Sequence, residues 1–440
     1  MQLYQHQIDG LKRTEHLNRV AYFWDMGTGK TFVGAEKMVR LGLTVNLIVC
    51  QKSKIQDWIE HFRTHYAHIP EFAYDLTDKK QFDQFMDHSE HEEAGTENCY
   101  GIINYELAWR RKDLLKLNDF TLMLDESSLI QNRKAKQTKF ILKLQAKNVI
   151  LLSGTPTSGK YENLWTQAHL LGWDISETLY NRQYVNWKLI NGCGGVKIKV
   201  VDKERPYKNI ERLKGKLREH GAQFLKTEDV LKMPEQNFIE VNVSKSKEYN
   251  RFMKDSIVSF DGVELVGDTS LTKRLYARQL CGQYSKEKLE AFRDLIESTN
   301  DRIIVFYNFT DEAKKLIHIA NECERPWAVI NGAEKNLAAY ENYDDSITFV
   351  QYQAGAMGLN LQKANKIIYY SLPERCELFM QSQKRIHRIG QEKPCFYYVM
   401  MCRNSVEEQI YSALKRGIDF TDELFREECN RNGKRNQGNL

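Results

Sequence analysis

Three features are absent from this chain of 440 residues, and each absence excludes a class of protein. Its nine cysteines include no C-x-x-C pair, so we expect free thiols in a reducing compartment rather than disulfides or a zinc site. No apolar stretch approaches the length of a membrane-spanning helix. No secretory leader is expected, because the first thirty residues already carry a binding motif. We therefore predict a cytoplasmic protein (nucleoid or host-cell cytoplasm), nuclear only in a eukaryote.

A strong charge of either sign is also absent. The 64 Lys and Arg against 59 Asp and Glu give a net charge of +5, which is compatible with nucleic acid but does not require it. An apolar share of 42% is typical of a globular protein. The chain is too long for one ordinary core, so two domains with insertions are expected.

One stretch, DMGTGKT at 25–31, has the pattern of a phosphate-binding loop between a strand and a helix. Glycines let backbone N–H groups approach an anion, and the helix N-terminus adds partial positive charge. Lys30 is expected to reach the outer phosphates of a nucleotide, and the Thr31 hydroxyl to hold Mg²⁺. Trp24 stands where the strict pattern has glycine, so a simple glycine turn is the alternative. The predicted nucleotide-binding residues here are Met26, Gly27, Thr28, Gly29, Lys30 and Thr31.

An apolar run over 121–124 ends in two carboxylates, Asp125 and Glu126. A carboxylate at a strand end can hold Mg²⁺ through water, and its neighbour can orient and deprotonate an attacking water. Asp125 is predicted as the metal ligand and Glu126 as the catalytic base. Ahead of the loop, the amide of Gln7 matches the donor and acceptor edges of adenine, although a surface glutamine is the alternative.

Polar residues at the carboxyl ends of predicted strands are candidates for nucleic-acid contact, because open α/β sheets bind ligands there. A basic stretch at 197–218, with nine Lys or Arg against three acids, is a second candidate. Solvated loops and a solvated helix face are the alternatives. The predicted contacts are Lys52, Ser53, Asn104, Tyr105, Ser153, Thr155, Lys214, Lys216, Asn308 and Gln353.

The second half resumes the alternation of strands and helices at 302–307 but has no phosphate loop of its own. It contains QAGAMGLNL at 353–361 and QSQKRIHRIGQ at 381–391. Arg385 and Arg388 are three residues apart and are expected on one helical face, where their planar guanidinium groups suit phosphate oxygens. Two surface arginines are the alternative.

Together these stretches resemble the SWI/SNF family of superfamily-two helicase-like ATPases. The most specific similarity is RIHRIGQ at 385–391, supported by AGAMGLNL at 354–361, SGTP at 153–156, KTEDV at 226–230 and SKEKL at 285–289. The resemblance implies two RecA-like lobes that close on ATP and Mg²⁺. The second lobe would contribute Gly358, with Arg385 and Arg388 as catalytic arginine fingers.

The resemblance also implies a motor that runs along double-stranded DNA by gripping its backbone, without sequence preference and without separating strands. A monomeric motor with no membrane contact is expected, with a protein partner such as a nuclease or a replication factor. Two positions depart from the family pattern. Ser128 stands where the acidic motif usually has His, and Lys384 where Asp is common.

The predicted fold class is α/β, with two RecA-like parallel-sheet lobes in tandem and helical insertions between them. The segments that follow from this are lobe one at 1–172, a helical basic insertion at 173–235, a helical bridge at 236–285, lobe two at 286–428 and a polar tail at 429–440. Within the basic insertion we expect helical or irregular structure with a hairpin turning at 191–195, and within the bridge long helices over 244–283. Two other functions stay open at this point. One is a strand-separating DNA or RNA helicase, and the other is a DNA-binding scaffold that uses nucleotide only as a switch.

Overall fold

The computed structural model describes residues 2–66, 71–90, 98–191, 197–260, 263–355 and 359–419. The chain forms two compact units, which meet in sequence between Val230 and Leu231. None of the helices in these ranges combines the length and apolarity that crossing a bilayer demands.

The first unit is built on a sheet whose described part has seven strands, all parallel, in the order β3-β4-β2-β5-β6-β1-β9. Its strands are β1 (Arg19–Trp24), β2 (Val45–Cys50), β3 (Glu71–Asp75), β4 (Asn98–Asn104), β5 (Thr121–Asp125), β6 (Asn148–Leu152) and β9 (Ala222–Leu225). An antiparallel hairpin outside this sheet consists of β7 (Trp187–Asn191) and β8 (Lys197–Val201).

Helices cover both faces of this sheet. They are α1 (Gln5–Arg13), α2 (Lys30–Leu41), α3 (Ile55–His65), α4 (Lys79–Glu90), α5 (Tyr105–Ala108), α6 (Lys136–Ile141), α7 (Trp165–Leu170), α8 (Glu177–Tyr184) and α9 (Ile210–Glu219). The inner strands β1, β2, β5 and β6 are largely apolar because each face packs on helices. In β1, for example, Ala21 and Phe23 belong to one buried cluster, while Tyr22 and Trp24 belong to the cluster on the opposite face.

The second unit has its own parallel sheet, with six strands in its described part, in the order β10-β17-β16-β13-β15-β14. These strands are β10 (Gln236–Val243), β13 (Ile303–Tyr307), β14 (Trp327–Ile330), β15 (Ile347–Gln351), β16 (Lys366–Tyr369) and β17 (Cys395–Cys402). A separate antiparallel hairpin pairs β11 (Ile257–Phe260) with β12 (Val263–Val266).

The helices of the second unit again pack on both faces of the sheet. They are α10 (Lys247–Asp255), α11 (Ser270–Cys281), α12 (Lys286–Glu297), α13 (Thr310–Glu322), α14 (Ala338–Asn342), α15 (Tyr352–Gly355), α16 (Cys376–Gln383) and a further helix over 406–418. In β13, Ile304 and Phe306 face one buried cluster, and Ile303 and Val305 face the other. The predicted α/β class with two parallel sheets in tandem is confirmed.

The segments between the two sheets differ in part from the predicted helical insertions. Within 173–235, β7 and β8 form the antiparallel pair that the predicted hairpin requires, although the turn at 192–196 lies outside the described residues. Strand β9, which was not predicted, returns to the first sheet beside β1. Within 236–285, β10 pairs with β17 along its whole length, and the hairpin β11–β12 separates α10 from α11. The predicted long helices over 244–283 are therefore wrong, because two short strands interrupt them.

Candidate nucleotide-binding site

The loop between β1 and α2 has the backbone that the sequence pattern predicts. Gly27 and Gly29 adopt left-handed conformations, with φ of +87° and +80°, which residues with a Cβ rarely adopt. The helix begins at Lys30 immediately afterwards. Trp24, the departure from the strict pattern, is buried and belongs to the core. A Cβ on Gly10 would lie 2.4 Å from its ring, so this tryptophan packs under α1 rather than in the loop.

The carboxylate of Asp25 holds the start of the loop in place. It accepts a hydrogen bond from the backbone N–H of Met26 at 2.8 Å, and the Thr227 hydroxyl lies 3.0 Å from it and 2.9 Å from the Met26 carbonyl oxygen. The carbonyl oxygen of Asp25 accepts from the Thr28 hydroxyl at 2.8 Å and from Lys30 Nζ at 3.2 Å. The Lys30 ammonium is therefore drawn back over the loop, where an anion in the cradle would meet it.

Helix α1 braces the loop from its other side. The buried amide of Gln7 donates through Nε2 to the carbonyl oxygens of Thr28 and Gly29, at 3.3 and 3.4 Å, and its oxygen accepts from the Tyr4 N–H at 2.8 Å. His6 Nε2 lies 2.9 Å from the same Thr28 oxygen. A Cβ on Gly29 would lie 2.2 Å from Gln7 Nε2, so this contact itself requires glycine. Adenine recognition by Gln7 stays a prediction.

Asp125 ends β5 and is held from two sides. Trp58 on α3 donates from Nε1 to its carboxylate at 2.9 Å, and the Tyr105 hydroxyl donates to its carbonyl oxygen at 2.8 Å. Burial raises the pKa of the Asp125 carboxyl, whereas the Trp58 hydrogen bond and the charge of Lys30 oppose that shift. A buried carboxylate near a lysine, where water is scarce, suits a divalent cation as charge partner.

Glu126 follows in a left-handed conformation, with φ 55° and ψ 57°, ahead of the short helical turn Ser127–Ile130. For a residue with a Cβ this conformation costs of the order of 1–3 kcal/mol, and it persists where the surroundings demand it. Such outliers concentrate at functional sites, and here the outlier is the predicted catalytic base. The observation supports that role without assigning it.

A third turn, after β6, meets the phosphate loop directly. A Cβ on Gly154 would lie 3.0 Å from Met26 Cγ and 3.4 Å from Lys30 Nζ, so glycine leaves room for the lysine. Since β5, β6 and β1 are neighbours in the sheet, their carboxyl ends bring Asp125, the Gly154 turn and the loop together. Thr31, the second residue of α2, is half-buried at the same edge.

Sequence reasoning missed four residues that shape this edge: His6, Trp58, Gln167 and Thr227. Gln167 connects the turn after Glu126 to the SGTP turn, because its side chain accepts from the Ser127 hydroxyl at 2.8 Å and donates to the Pro156 carbonyl at 2.7 Å. Thr227 reaches Asp25 because β9 pairs with β1 in parallel, with Leu225 beside Trp24. The KTEDV stretch at 226–230 could have pointed to Thr227. No motif or residue spacing in the sequence marks His6, Trp58 or Gln167.

The structure supports only part of the predicted nucleic-acid contact set in the first unit. Lys52 and Ser53 are exposed in a short turn at the carboxyl end of β2, as expected. Four others are buried and offer no surface for a phosphate in this structure, which corrects that part of the prediction: Asn104, Tyr105, Ser153 and Thr155. Asn104 and Tyr105 lie where β4 passes into α5, and Ser153 and Thr155 lie within the SGTP turn after β6.

Lys214 requires the same correction. Its side chain is 2% exposed and pairs with Glu211 at 3.1 Å, because it shares the buried face of α9 with Leu213 and Leu217. Lys216 is partly exposed and pairs with Glu219 at 2.5 Å. A helix register, which composition alone does not reveal, decides which lysine of this basic stretch faces solvent.

In the second unit, Arg385 and Arg388 do not lie on a helix. Helix α16 ends at Gln383, and both arginines belong to the turn that follows. In this turn the Arg385 carbonyl accepts a hydrogen bond from the N–H of Leu361 at 3.1 Å. The Arg388 guanidinium donates to the Asn360 side chain, and burial lowers its pKa. The predicted helical face is wrong, but both arginines remain beside the segment that starts at 359.

Three further predicted residues belong to this unit. Asn308 is half-buried, and its side-chain nitrogen donates to Ser371 Oγ and to the Leu372 carbonyl, both at 3.0 Å. Gln353 is exposed in the short helix α15. Gly358 lies outside the described residues.

Comparison with protein families identifies the chain. The model of the SNF2-related domain matches residues 10–285, and that of the helicase conserved C-terminal domain matches residues 287–390. The chain belongs to the SNF2 family. The predicted membership in this SWI/SNF group of helicase-like ATPases is thereby confirmed.

Relatives are distant but similar over most of the chain. YwqA of Bacillus subtilis is 22% identical over 92% of this chain and 46% of its own length. The human lymphoid-specific helicase is 21% identical over 90% of this chain and 59% of its own. The ISWI chromatin-remodeling complex ATPase ISW1 of Saccharomyces cerevisiae is 22% identical over 93% of this chain and 39% of its own length. The chain thus spans less than two thirds of the length of these SNF2 relatives.

A solved structure, the "Sulfolobus solfataricus SWI2/SNF2 ATPase core in complex with dsDNA", is similar to this SNF2 chain with a TM-score of 0.43 and 19% identity. The superposed region covers 98% of this chain and 94% of the Sulfolobus solfataricus chain.

Proposed function

We propose that this SNF2 chain is a DNA-dependent ATPase that couples ATP hydrolysis to translocation on double-stranded DNA without separating the strands. The observation that carries the proposal is the convergence of Lys30, Asp125 and the Gly154 turn at neighbouring strand ends of one parallel sheet. Membership in a family whose relatives include a named ATPase and a named helicase supports it.

The residues present fit ATP with Mg²⁺. The left-handed glycines open a cradle of backbone N–H groups that a Cβ would fill, and α2 points its N-terminus at that cradle. When bound, Mg²⁺ would neutralise charge on the phosphates and polarise the bond that breaks. Thr31 and Asp125 are the oxygen donors placed to hold it.

Each of the other residues has a separate task in this proposal. Lys30 binds the outer phosphates, and Glu126 orients the attacking water and takes its proton. Gln7, besides bracing the loop, would present its amide to adenine. By the family resemblance, Arg385 and Arg388 would place their positive charges against the transferred phosphoryl group. Such a contribution is worth roughly 10³–10⁵ in rate.

The DNA-binding part of the proposal rests on surface charge and on position. Lys52 and Ser53 are exposed at the carboxyl end of β2, where open sheets bind ligands, and Gln353 is exposed beyond β15 in the second unit. Binding through the DNA backbone predicts strong salt dependence and little sequence preference.

Turnover measurements test the proposal. ATP hydrolysis is measured with duplex DNA, single-stranded DNA and RNA at equal nucleotide concentration, with Lys30→Ala as the inactive control. The duplex should stimulate most, and displacement of a third strand from a triplex should report translocation. A preference for either single-stranded nucleic acid, or release of a labelled strand from a forked duplex, would contradict the proposal in favour of a strand-separating helicase. Duplex binding that changes on addition of ATP, without any DNA-stimulated turnover, would favour the nucleotide-switched scaffold.

A further inference from the structure

The β7–β8 hairpin is the surface feature that the proposed ATPase site does not use. Its strands pair in antiparallel register, with Ile190 opposite Ile198 and Leu189 opposite Lys199. In the described part of the chain these two strands pair with no other strand. The base of the hairpin is tied to the body of the first unit, because the Tyr207 hydroxyl donates to the Glu162 carboxylate at 2.9 Å and the Tyr207 ring stacks on Tyr161.

Apolar side chains on this hairpin face solvent. Leu189 is 62% exposed, Ile190 44% and Ile198 47%. Since side chains alternate along a strand, Ile190 and Ile198 share one face and Leu189 lies on the other. Two-stranded ribbons are marginal in water unless a face is covered. A ribbon that is apolar on both faces and fixed at its base is therefore expected to acquire a partner surface.

The charge of the ribbon indicates what that partner is. Its described strands carry Lys188, Lys197 and Lys199 and no acidic residue. All three lysines are exposed, and the Lys199 ammonium lies over the Trp187 ring, 4.8 Å from its centroid. The nearest acid along the chain, Asp202, accepts hydrogen bonds from the N–H groups of Glu204 and Arg205, and these bonds, together with the charge of Lys188, lower the pKa of its carboxyl. The two strands thus carry an excess of positive charge, which complements a polyanion.

We propose that the β7–β8 hairpin enters a groove of the duplex DNA on which the chain works, an inference that rests on the proposed function. The major groove of B-DNA, about 12 Å wide, admits a two-stranded β-ribbon. There the three lysines would contact phosphates on the groove edges. The apolar side chains would lie against base edges, and burying them there would remove them from water.

Salt dependence of DNA binding tests the lysines. Affinity for a labelled duplex is measured at several salt concentrations for the whole chain and for Lys188→Gln/Lys197→Gln/Lys199→Gln. Each lost phosphate contact should reduce the slope of log K against log[salt] by about 0.9, so the triple variant should lose about 2.7 units. The matched control is Lys79→Gln/Lys80→Gln/Lys143→Gln, three exposed lysines of the same unit, which should leave the slope unchanged.

Chemical protection tests the groove. Bound chain should protect guanine N7, an acceptor in the major groove, from methylation, and Leu189→Ser/Ile190→Ser/Ile198→Ser should lose that protection. Full protection in this variant would contradict the groove contact. Thermal melting by circular dichroism verifies that each variant is folded.

The outcomes separate the two proposals. If the lysine variant keeps the slope of its control while duplex DNA still stimulates turnover, the hairpin inference is overturned and the proposed function stands. The ribbon would then be a contact for a protein. If duplex DNA neither binds nor stimulates the whole chain, both proposals fall.

Discussion

Ser127 and Gln167 are joined by a buried hydrogen bond of 2.8 Å from the Ser127 hydroxyl to the side-chain oxygen of Gln167. The nitrogen of the same amide donates to the Pro156 carbonyl at 2.7 Å. One side chain therefore links the residue after the proposed base, Glu126, to the SGTP turn, whose glycine lies against Lys30. In this chain Ser128 occupies the position where the family commonly has His, so Gln167 provides a connection between the two motifs that does not need that histidine.

Replacement of this amide should slow turnover without weakening nucleotide binding. Gln167→Leu removes both hydrogen bonds, so the buried Ser127 hydroxyl loses this acceptor and the Pro156 carbonyl keeps only the longer bond from Gln131 Nε2 at 3.3 Å. We expect a cost of about 1–3 kcal/mol in the free energy of unfolding. With the turn after Glu126 no longer held, we expect kcat in the presence of duplex DNA to fall several-fold while KM for ATP stays near its wild-type value. Steady-state kinetics and denaturant unfolding measure the two effects.

The neighbouring residue provides a matched control. Thr166 is equally buried on α7 and forms none of these bonds, so Thr166→Val should leave kcat unchanged. Gln167→Glu keeps the acceptor for Ser127 but cannot donate to Pro156 when ionised, and should fall between the two. Wild-type kcat in Gln167→Leu, at whatever stability, would show that Gln167 only packs.

Thr227 should affect ATP binding although it lies about 200 residues from the loop in sequence. Its hydroxyl contacts the Asp25 carboxylate and the Met26 carbonyl. Thr227→Val keeps the shape and removes these contacts, so the loop should lose order and KM for ATP should rise several-fold with a smaller change in kcat. Thr227→Ser should restore KM. Equal KM values for all three chains would contradict this role.

The phosphate loop and the acidic strand end were predictable because their information is local. The buried strand is apolar, the glycines allow positive φ, and the carboxylates end β5. Each of these features is encoded by residues that are adjacent in the sequence. The same holds for the strands of both sheets that lie between two layers of helices, since each is a continuous apolar run.

What could not be predicted depends on pairing between distant segments. Strand β10 is an edge strand in which Phe238 is 43% and Ile239 38% exposed, so it carries no buried pattern, and only its partner β17 makes it a strand. Strand β9 is four residues long and joins β1 across nearly 200 residues. Burial of Lys214 and the turn at Arg385 are likewise set by packing, which charge and spacing do not encode.

Two glycines in the first unit should respond to alanine in opposite directions. Gly29 combines a φ of +80° with a Cβ position 2.2 Å from Gln7 Nε2, so Gly29→Ala should destabilise the loop by more than about 1 kcal/mol and abolish ATP binding. Gly215 lies inside α9 with no heavy atom within 4 Å of its Cβ position. Gly215→Ala should therefore stabilise the protein by about 0.5–1 kcal/mol and leave turnover unchanged. Denaturant unfolding and nucleotide titration measure both, and a stabilised, ATP-binding Gly29→Ala would contradict the loop geometry.

His61 should make the first unit sensitive to mild acid. It is packed beside Phe32 and Trp58, and burial, assisted by the nearby His65, lowers its pKa from 6.5 to about 4. Below pH 6.5 the unfolded chain binds a proton that the folded chain does not, so the free energy of unfolding should fall as pH drops toward 4, by up to about 3 kcal/mol. His61→Phe should flatten that dependence between pH 4 and 6.5, whereas His16→Phe, at an exposed position, should preserve it. Urea unfolding at half-unit pH intervals measures the slope, and parallel curves for wild type and His61→Phe would show that other groups cause the acid sensitivity.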